Sequence, residues 1–203
     1  TARWSHAVFI ASMKEDHSAA AAEMALAQEL DPLSMSIRAN TGWLLYWARR
    51  FDRAIVHARE TIGMDENCVQ AYNVLGLSLI ATGAPDEAGV VLEGAARRFG
   101  DPLSLAWLGM AHGAAGRRDE ARALLQLMEE KSSTGRMPSL CLAWVHVGLD
   151  TRAAALDLIE KAYDEHDAVI LWLRVSPTFD ALRDEPRYRR LLARLNLPTP
   201  VRA

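Results

Sequence analysis

The side chains of this sequence that could take part in chemistry are six histidines, two cysteines and a set of dispersed acids. His112 and His146 lie 34 residues apart, at the same place in two adjacent helical units, and as a pair they could bind a metal ion or respond to pH. The other interpretation, which we prefer, is that both are packing residues between helices. The sequence has no glycine-rich phosphate loop, no His-Glu-x-x-His motif and no EF-hand pattern. We therefore predict no catalytic residues.

Residues 164–167 have the sequence Asp-Glu-His-Asp, whose composition resembles that of a metal site. Consecutive residues at a helix end point in different directions, however, and cannot all face one ion. We predict a solvated helix end there. The sequence thus predicts neither a metal ion nor a cofactor.

Composition excludes several classes of protein. Cys68 and Cys141 are too few for a cysteine-rich zinc module or a disulfide framework, and they favour a reducing, cytoplasmic location. No apolar run exceeds six residues, the length reached for example at 43–48 and 168–173, against the roughly 20 that a membrane-spanning helix needs. We expect no contact with a membrane.

Charge gives little reason to expect nucleic acid as a partner. The net charge is −3, from 23 basic and 26 acidic residues. Residues 168–203 hold seven arginines and three acids, but a capping helix with its arginines in solvent explains this excess better than a nucleic-acid patch. The chain starts at Thr1 without a methionine or a secretory signal pattern, so we expect a fragment of a longer protein.

A column of alanines recurs along the chain at separations of 34, 34, 33 and 34 residues: Ala20, Ala54, Ala88, Ala121 and Ala155. Small residues at fixed places allow two helix backbones to approach closely, where larger side chains would overpack. The period therefore predicts a repeated helix-turn-helix unit. No strand pattern competes with it.

Residues typical of helix ends keep the same period. Gly83 and Gly116 lie where the first helix of a unit should end. The second helix should begin at Ser18, Asp52, Asp86 and Asp119. Serine and aspartate are preferred N-cap residues, so we predict N-caps at these four positions.

This pattern resembles the tetratricopeptide repeat (TPR). The residues that match it best are Tyr72, Leu75, Gly76, Leu79, Gly83, Ala88, Leu92 and Ala95. Trp4 and Pro32 also match, whereas Arg38, Glu66 and Asp150 depart from the motif. The resemblance implies an all-α fold, an α-solenoid that winds as a right-handed superhelix of about five repeats. They are expected at about 1–34, 35–68, 69–102, 102–135 and 136–169.

The period stops after residue 169, and residues 170–203 are predicted to form a helical cap. A helix near 168–175 and an amphipathic helix at about 186–195, joined by a connector from 176 to 185, would cover the last hydrophobic face of the array. This ending is similar to the C-termini of TPR arrays in bacterial multidomain signalling and transcription-regulatory proteins. The similarity implies an attached DNA-binding, cyclase or kinase domain.

The first helices of such units line a concave groove, and aromatic residues concentrate there. In the best-matched repeat Leu75 and Leu79 pack on the partner helix, so at about 100° per residue Asn73 and Leu77 face the groove. The same register predicts these groove residues: Phe9, Asn40, Trp43, Tyr46, Trp47, Gln70, Asn73, Leu77, Trp107, Met110 and Trp144. Residues 43–47 make one helix apolar all round, and such a helix needs cover on both faces.

Two functions fit this groove. In the first, the chain is a non-enzymatic protein-protein interaction module that binds an apolar or amphipathic peptide or helix of a partner protein, because tryptophan and tyrosine are enriched at binding hot spots. A clamp for a C-terminal carboxylate is not expected, since only Asn40 among the corresponding groove positions fits one. In the alternative, neighbouring helices, the chain's own tail or a homo-oligomer buries the aromatic residues, and the role is that of a scaffold.

Overall fold

The structure is a computed structural model that describes residues 17–132, 137–167 and 169–195, and every regular element in these ranges is helical. In chain order they are α1 (His17–Leu30), α2 (Met35–Trp47), α3 (Phe51–Met64), α4 (Val69–Ala81), α5 (Pro85–Phe99), α6 (Pro102–Ala114), α7 (Arg118–Ser132), α8 (Ser139–Gly148), α9 (Arg152–Asp164), α10 (Trp172–Val175), a 3-10 helix (Pro177–Leu182) and α11 (Pro186–Arg194). The helices pack against their neighbours in sequence order. This arrangement confirms the predicted all-α helical repeat solenoid.

The two helices of a unit have different surroundings. α4 is buried on nearly all sides, including Val74, Leu75 and Leu77. α5 buries a single stripe that contains Ala88 and Leu92. Because a helix that is apolar all round needs cover all round, first helices such as α4 and α6 form the inner layer and second helices such as α5 and α7 form the outer one.

Glycines allow the inner helices to touch. A Cβ atom on Gly113 of α6 would lie 2.4 Å from the carbonyl carbon of Gly148 in α8. A Cβ on Gly148 would in turn lie 2.5 Å from the carbonyl oxygen of Met110. The two helices therefore cross with their backbones in direct contact, which no larger residue would allow.

The turns between paired helices share one geometry. The backbone is left-handed at Arg49, Gly83, Gly116 and Asp150, with φ of 57°, 82°, 76° and 54°. The next amide then bonds to the carbonyl five residues earlier, as in the 2.9 Å bond from Arg117 N to His112 O, which is the Schellman arrangement.

The predicted N-caps are wrong. Asp52, Asp86 and Asp119 each lie one residue inside the helices α3, α5 and α7, and Ser18 lies within α1. The helices begin one residue before each aspartate, and the carboxylates remain in the first turn. In that place their negative charge interacts favourably with the helix dipole.

Regular helix pairing ends after α9. The helix predicted near 168–175 is limited to the four residues of α10. It ends at Val175 because Ser176 is extended ahead of Pro177, and a proline disfavours the helical conformation in the residue before it. The connector predicted for 176–185 contains the 3-10 helix. α11 agrees with the predicted amphipathic helix and buries Tyr188 and Leu192. None of the helices described is both long and apolar enough to cross a bilayer.

Candidate functional site

Three inner helices bring together the aromatic residues that the sequence places on the groove. We define the aromatic cluster as Trp43, Tyr46, Trp47, Trp107 and Trp144. In α2, the ring of Trp43 lies 6.1 Å from Tyr46 and 5.9 Å from Trp47. Trp107 of α6 and Trp144 of α8 lie 4.1 Å apart, next to the glycine crossing of these two helices.

A C-terminal segment joins the two parts of the aromatic cluster. We define residues 169–184 as the strap. The ring of Trp172 lies 5.0 Å from Trp43, 5.8 Å from Trp47 and 6.3 Å from Trp144. The ring of Phe179 stacks on Trp144 at 5.8 Å. All five side chains of the aromatic cluster are at most 6% exposed, so the chain itself covers them.

Hydroxyl groups of the strap complete the contact. The indole N–H of Trp144 donates to Thr178 Oγ1 at 3.2 Å, and the hydroxyls of Thr178 and Ser176 lie 2.8 Å apart. Burial raises the pKa of Tyr46, against the hydrogen bond that its phenol makes with Ser176. Tyr46 is therefore protonated at neutral pH.

A bidentate ion pair lies at the edge of the contact between the strap and the aromatic cluster. Arg49 Nη1 donates to Asp180 Oδ2 at 2.5 Å and Nη2 donates to Oδ1 at 2.8 Å. Arg183 Nε donates to Oδ1 at 2.7 Å. Burial opposes ionisation of Asp180, but the hydrogen bonds and charges of the two arginines outweigh it and hold the pKa of this carboxyl below its ordinary value. Asp180 is thus a carboxylate bound by two guanidinium groups.

Two indole N–H groups in the aromatic cluster are buried without a hydrogen-bond acceptor. Among the described residues, nothing accepts a hydrogen bond from the Nε1 atoms of Trp47 and Trp107. A buried donor without an acceptor costs about 1–3 kcal/mol. The aromatic cluster is therefore well packed but not optimally hydrogen-bonded in this arrangement.

The predicted groove residues differ in their access to solvent. Asn40 is half-buried and Gln70 is exposed, whereas Phe9 lies outside the described residues. The others are buried: Trp43, Tyr46, Trp47, Asn73, Leu77, Trp107, Met110 and Trp144. The structure thus brings the aromatic residues together but does not leave them open to solvent, and their role in partner binding stays a prediction.

Asn73, predicted to face the groove, has a partner inside the protein. Its side chain is 2% exposed, and its Oδ1 accepts a hydrogen bond from Ser104 Oγ at 3.1 Å. The bond links α4 to α6. Its effect is to hold two neighbouring inner helices in register.

The two aligned histidines are half-buried beside the turns. His112 Nδ1 accepts from Arg117 Nε at 3.1 Å, and His146 Nδ1 lies 2.8 Å from Thr151 Oγ1. Burial lowers the pKa of both imidazoles, and the charge of Arg117 lowers that of His112 further. Each histidine therefore has a local partner in its own turn.

The acidic run at 164–167 sends its side chains to separate partners. Asp164 lies 3.6 Å from Arg194, and Glu165 accepts from Ser139 Oγ at 2.6 Å. Asp167 accepts from a backbone N–H. Over the part of the chain that the structure describes, no three His, Cys, Asp or Glu side chains are grouped so as to hold a metal ion.

Both cysteines are free and buried. Burial raises the pKa of the Cys141 thiol to about 12, and the charges of Asp167 and Asp101 act in the same direction. The thiolate is the reactive form of cysteine. Cys141 is therefore an inert packing residue at neutral pH.

The repeat pattern of the sequence does not single out the residues that cover the aromatic cluster: Arg49, Trp172, Ser176, Thr178, Phe179 and Asp180. A signal exists for Arg49, since it lies 34 residues before Gly83 and puts a long side chain where another repeat has glycine. Trp172 lies past the end of the period. No register therefore assigns it to the groove.

A separate cleft of about 530 Å³ lies between α1, α2 and α3, lined by Met24, Gln28, Thr41, Leu44 and Arg53 among others. None of the predicted groove residues that the structure describes lines this cleft.

In comparisons with known proteins, no family model and no curated protein sequence matches the chain.

Proposed function

We propose that this chain is a non-enzymatic protein-interaction module of the TPR type, belonging to a larger bacterial signalling or regulatory protein. Its inner helices would bind a peptide or helical segment of a partner protein. The observation that supports this most is the packing of the strap, a segment with only short helical turns, on the aromatic cluster. A surface that holds such a segment in cis has the side chains needed to bind one from another protein.

The chemistry of the strap indicates what kind of segment fits. Trp172 and Phe179 contribute aromatic rings, Thr178 accepts the indole N–H of Trp144, and Asp180 pairs with Arg49. Aromatic anchors usually carry most of the affinity of an interface, and charged groups fix its orientation. An amphipathic segment with aromatic residues therefore suits this surface better than a uniformly charged one.

Two of the predicted groove residues remain accessible. Gln70 is exposed and Asn40 is half-buried. The side-chain amide of Asn40 donates to Ser36 O at 2.8 Å, which leaves its carbonyl oxygen as an acceptor. Side-chain amides can bond to the backbone of an extended or helical guest.

A second candidate function is that of a scaffold in which the aromatic residues are permanently self-buried. The complete burial of Trp107 and Trp144 supports it. In that case the array would hold attached domains in a set geometry, alone or as a homo-oligomer. This role requires no guest on the inner helices.

Site-specific photo-crosslinking can separate these functions without changing the core. A photoreactive amino acid is placed at Asn40 or Gln70 on inner helices, or, as a control, at Val90 of the outer helix α5, which is 72% exposed. The variants are irradiated in lysate of the source organism, and the products are identified by mass spectrometry. A partner crosslinked from 40 and 70 but not from 90 supports the interaction module. Products that contain only this chain support the scaffold, and equal products from all three sites contradict the proposed groove.

A further inference from the structure

We propose that the contact between the end of α2 and the strap, which we call the clasp, can open. In the closed state, Trp172 and Asp180 occupy in cis the binding site of a partner segment that presents an aromatic ring and a carboxylate. The clasp consists of Trp43, Trp47 and Arg49 on one side and of Trp172 and Asp180 on the other. This inference rests on the proposed function. It adds the chemistry of the bound segment and the way in which its site is uncovered.

The strap has a second set of contacts that can keep it folded while the clasp opens. Leu173, Phe179 and Leu182 are at most 1% exposed, and the 3-10 helix packs against α8. Tyr188 of α11 donates to the carbonyl of Leu173 at 2.5 Å, and its ring lies 6.1 Å from Phe179. These contacts are made with α8 and α11. Tyr46 of α2 also holds the strap, because its phenol bonds to Ser176 and to the backbone of Thr178.

The clasp joins two parts of the chain that are distant in sequence. Arg49 and Asp180 are separated by 131 residues. In a solenoid each repeat packs mainly on its neighbours, so small changes between repeats add up to large changes between distant ones. A modest change in curvature would therefore part Trp172 from Trp43 and Trp47 without unfolding a helix.

The closed clasp leaves one polar group unsatisfied. The Trp47 side chain is 3% exposed, and no described residue accepts its indole N–H. With the clasp closed, this donor is therefore shielded from water without an acceptor in its place. In the open state, water or a backbone carbonyl of a bound segment can accept the hydrogen bond.

Arg49 is suited to accept a carboxylate from another chain. It has a φ of 57° at a turn position where two other repeats have Gly83 and Gly116, and its guanidinium holds both oxygens of Asp180. The two side chains are 44% and 39% exposed. Water and salt screen an ion pair of this exposure, so a second carboxylate can compete for the arginine.

A peptide titration tests the clasp on the full chain. The probe is a fluorescein-labelled synthetic peptide with the sequence of residues 169–184, and binding is measured by anisotropy. The test protein is Trp172→Ala/Asp180→Ala, which empties the site on α2 and keeps Leu173, Phe179 and Leu182. The matched control is Leu171→Ala/Asp184→Ala, which removes one apolar and one acidic residue from exposed positions of the strap.

We expect the test protein to bind the peptide at least tenfold more tightly than the wild type does, and the control to bind like the wild type. A peptide that carries alanine at both clasp positions should lose this binding. A folded test protein that does not bind the probe, or equal binding by all three proteins, overturns the proposal.

A second measurement covers the case in which the test protein does not fold. Hydroxyl-radical footprinting of the wild type compares oxidation of Trp47 with that of Trp107, which is 0% exposed. An opening clasp predicts faster oxidation of Trp47 and its slowing by the probe peptide. Equal, slow oxidation of the two residues means that the clasp does not open.

Failure of the clasp and failure of the proposed function give different results. A static clasp with partner crosslinks from Asn40 and Gln70 would mean that the module binds its partner without uncovering the aromatic cluster. An opening clasp without any partner crosslink would contradict the interaction module and leave a self-associating or scaffold role.

Discussion

The substitution Gly113→Ala should disturb the helix crossing that brings Trp107 and Trp144 together. The added Cβ would lie 2.4 Å from Gly148 C, 2.6 Å from Gly148 O and 2.8 Å from Leu149 N. All three are backbone atoms, which cannot rotate away as a side chain would, so α6 and α8 must separate. Overpacking of this kind costs about 1–3 kcal/mol, and we take the upper end because the clash involves backbone.

Part of this cost is offset by helix propensity, because alanine is better than glycine by about 1 kcal/mol inside a helix. The net expectation is a loss of about 2 kcal/mol in the free energy of unfolding. Urea denaturation followed by circular dichroism at 222 nm measures it. Near-ultraviolet circular dichroism should change in parallel, since the tryptophan pair moves.

The chain offers a matched control in Gly94→Ala. Gly94 lies in α5, and a Cβ placed there meets no atom within 4 Å. Only the propensity term applies, so this variant should gain about 0.5–1 kcal/mol. If Gly113→Ala stabilises the protein as much as Gly94→Ala does, the backbones of α6 and α8 are not in direct contact at Gly113.

Two further predictions concern the strap. Asp180→Asn should lower stability at neutral pH by about 0.2–1 kcal/mol. Because Arg49 and Arg183 hold the pKa of Asp180 below its ordinary value, the contribution is complete above the unfolded pKa of about 3.9 and is lost as pH falls through the lower folded pKa. Urea midpoints of wild type and variant should therefore converge in acid, and a difference that persists there would contradict the ion pair. In thermal unfolding, Trp144→Phe should destabilise the chain by about 1 kcal/mol more than Trp47→Phe does. The reason is that only Trp144 has a hydrogen bond to lose, the one to Thr178. Equal losses of stability in the two variants would contradict this prediction.

Much of the fold is predictable from the period of small residues. Ala54, Ala88, Ala121 and Ala155 are all fully buried, because a fixed place between paired helices imposes the same size limit in every unit. Gly83 and Gly116 mark left-handed turns for a similar local reason. The N-caps were not predictable in this way, because aspartate is favourable both at the N-cap and in the first turn.

The composition of the aromatic cluster follows from helical register, but its burial does not. Whether Trp43 and Trp47 face solvent depends on Trp172, which lies beyond the period and reaches them only through the curvature of the whole array. The same holds for Arg49 and Asp180, 131 residues apart. Contacts across a solenoid depend on small rotations summed over several repeats, and no local pattern in the sequence encodes that sum.

One measurement tests most directly whether the binding surface is occupied in cis. It compares the affinity of two double variants, Trp172→Ala/Asp180→Ala and Leu171→Ala/Asp184→Ala, for the strap peptide. If the inner helices bind an aromatic, acidic segment that the strap replaces, the first protein binds the peptide at least tenfold more tightly than the second. Equal affinity of the two folded proteins would contradict this and would make the strap a permanent part of the core.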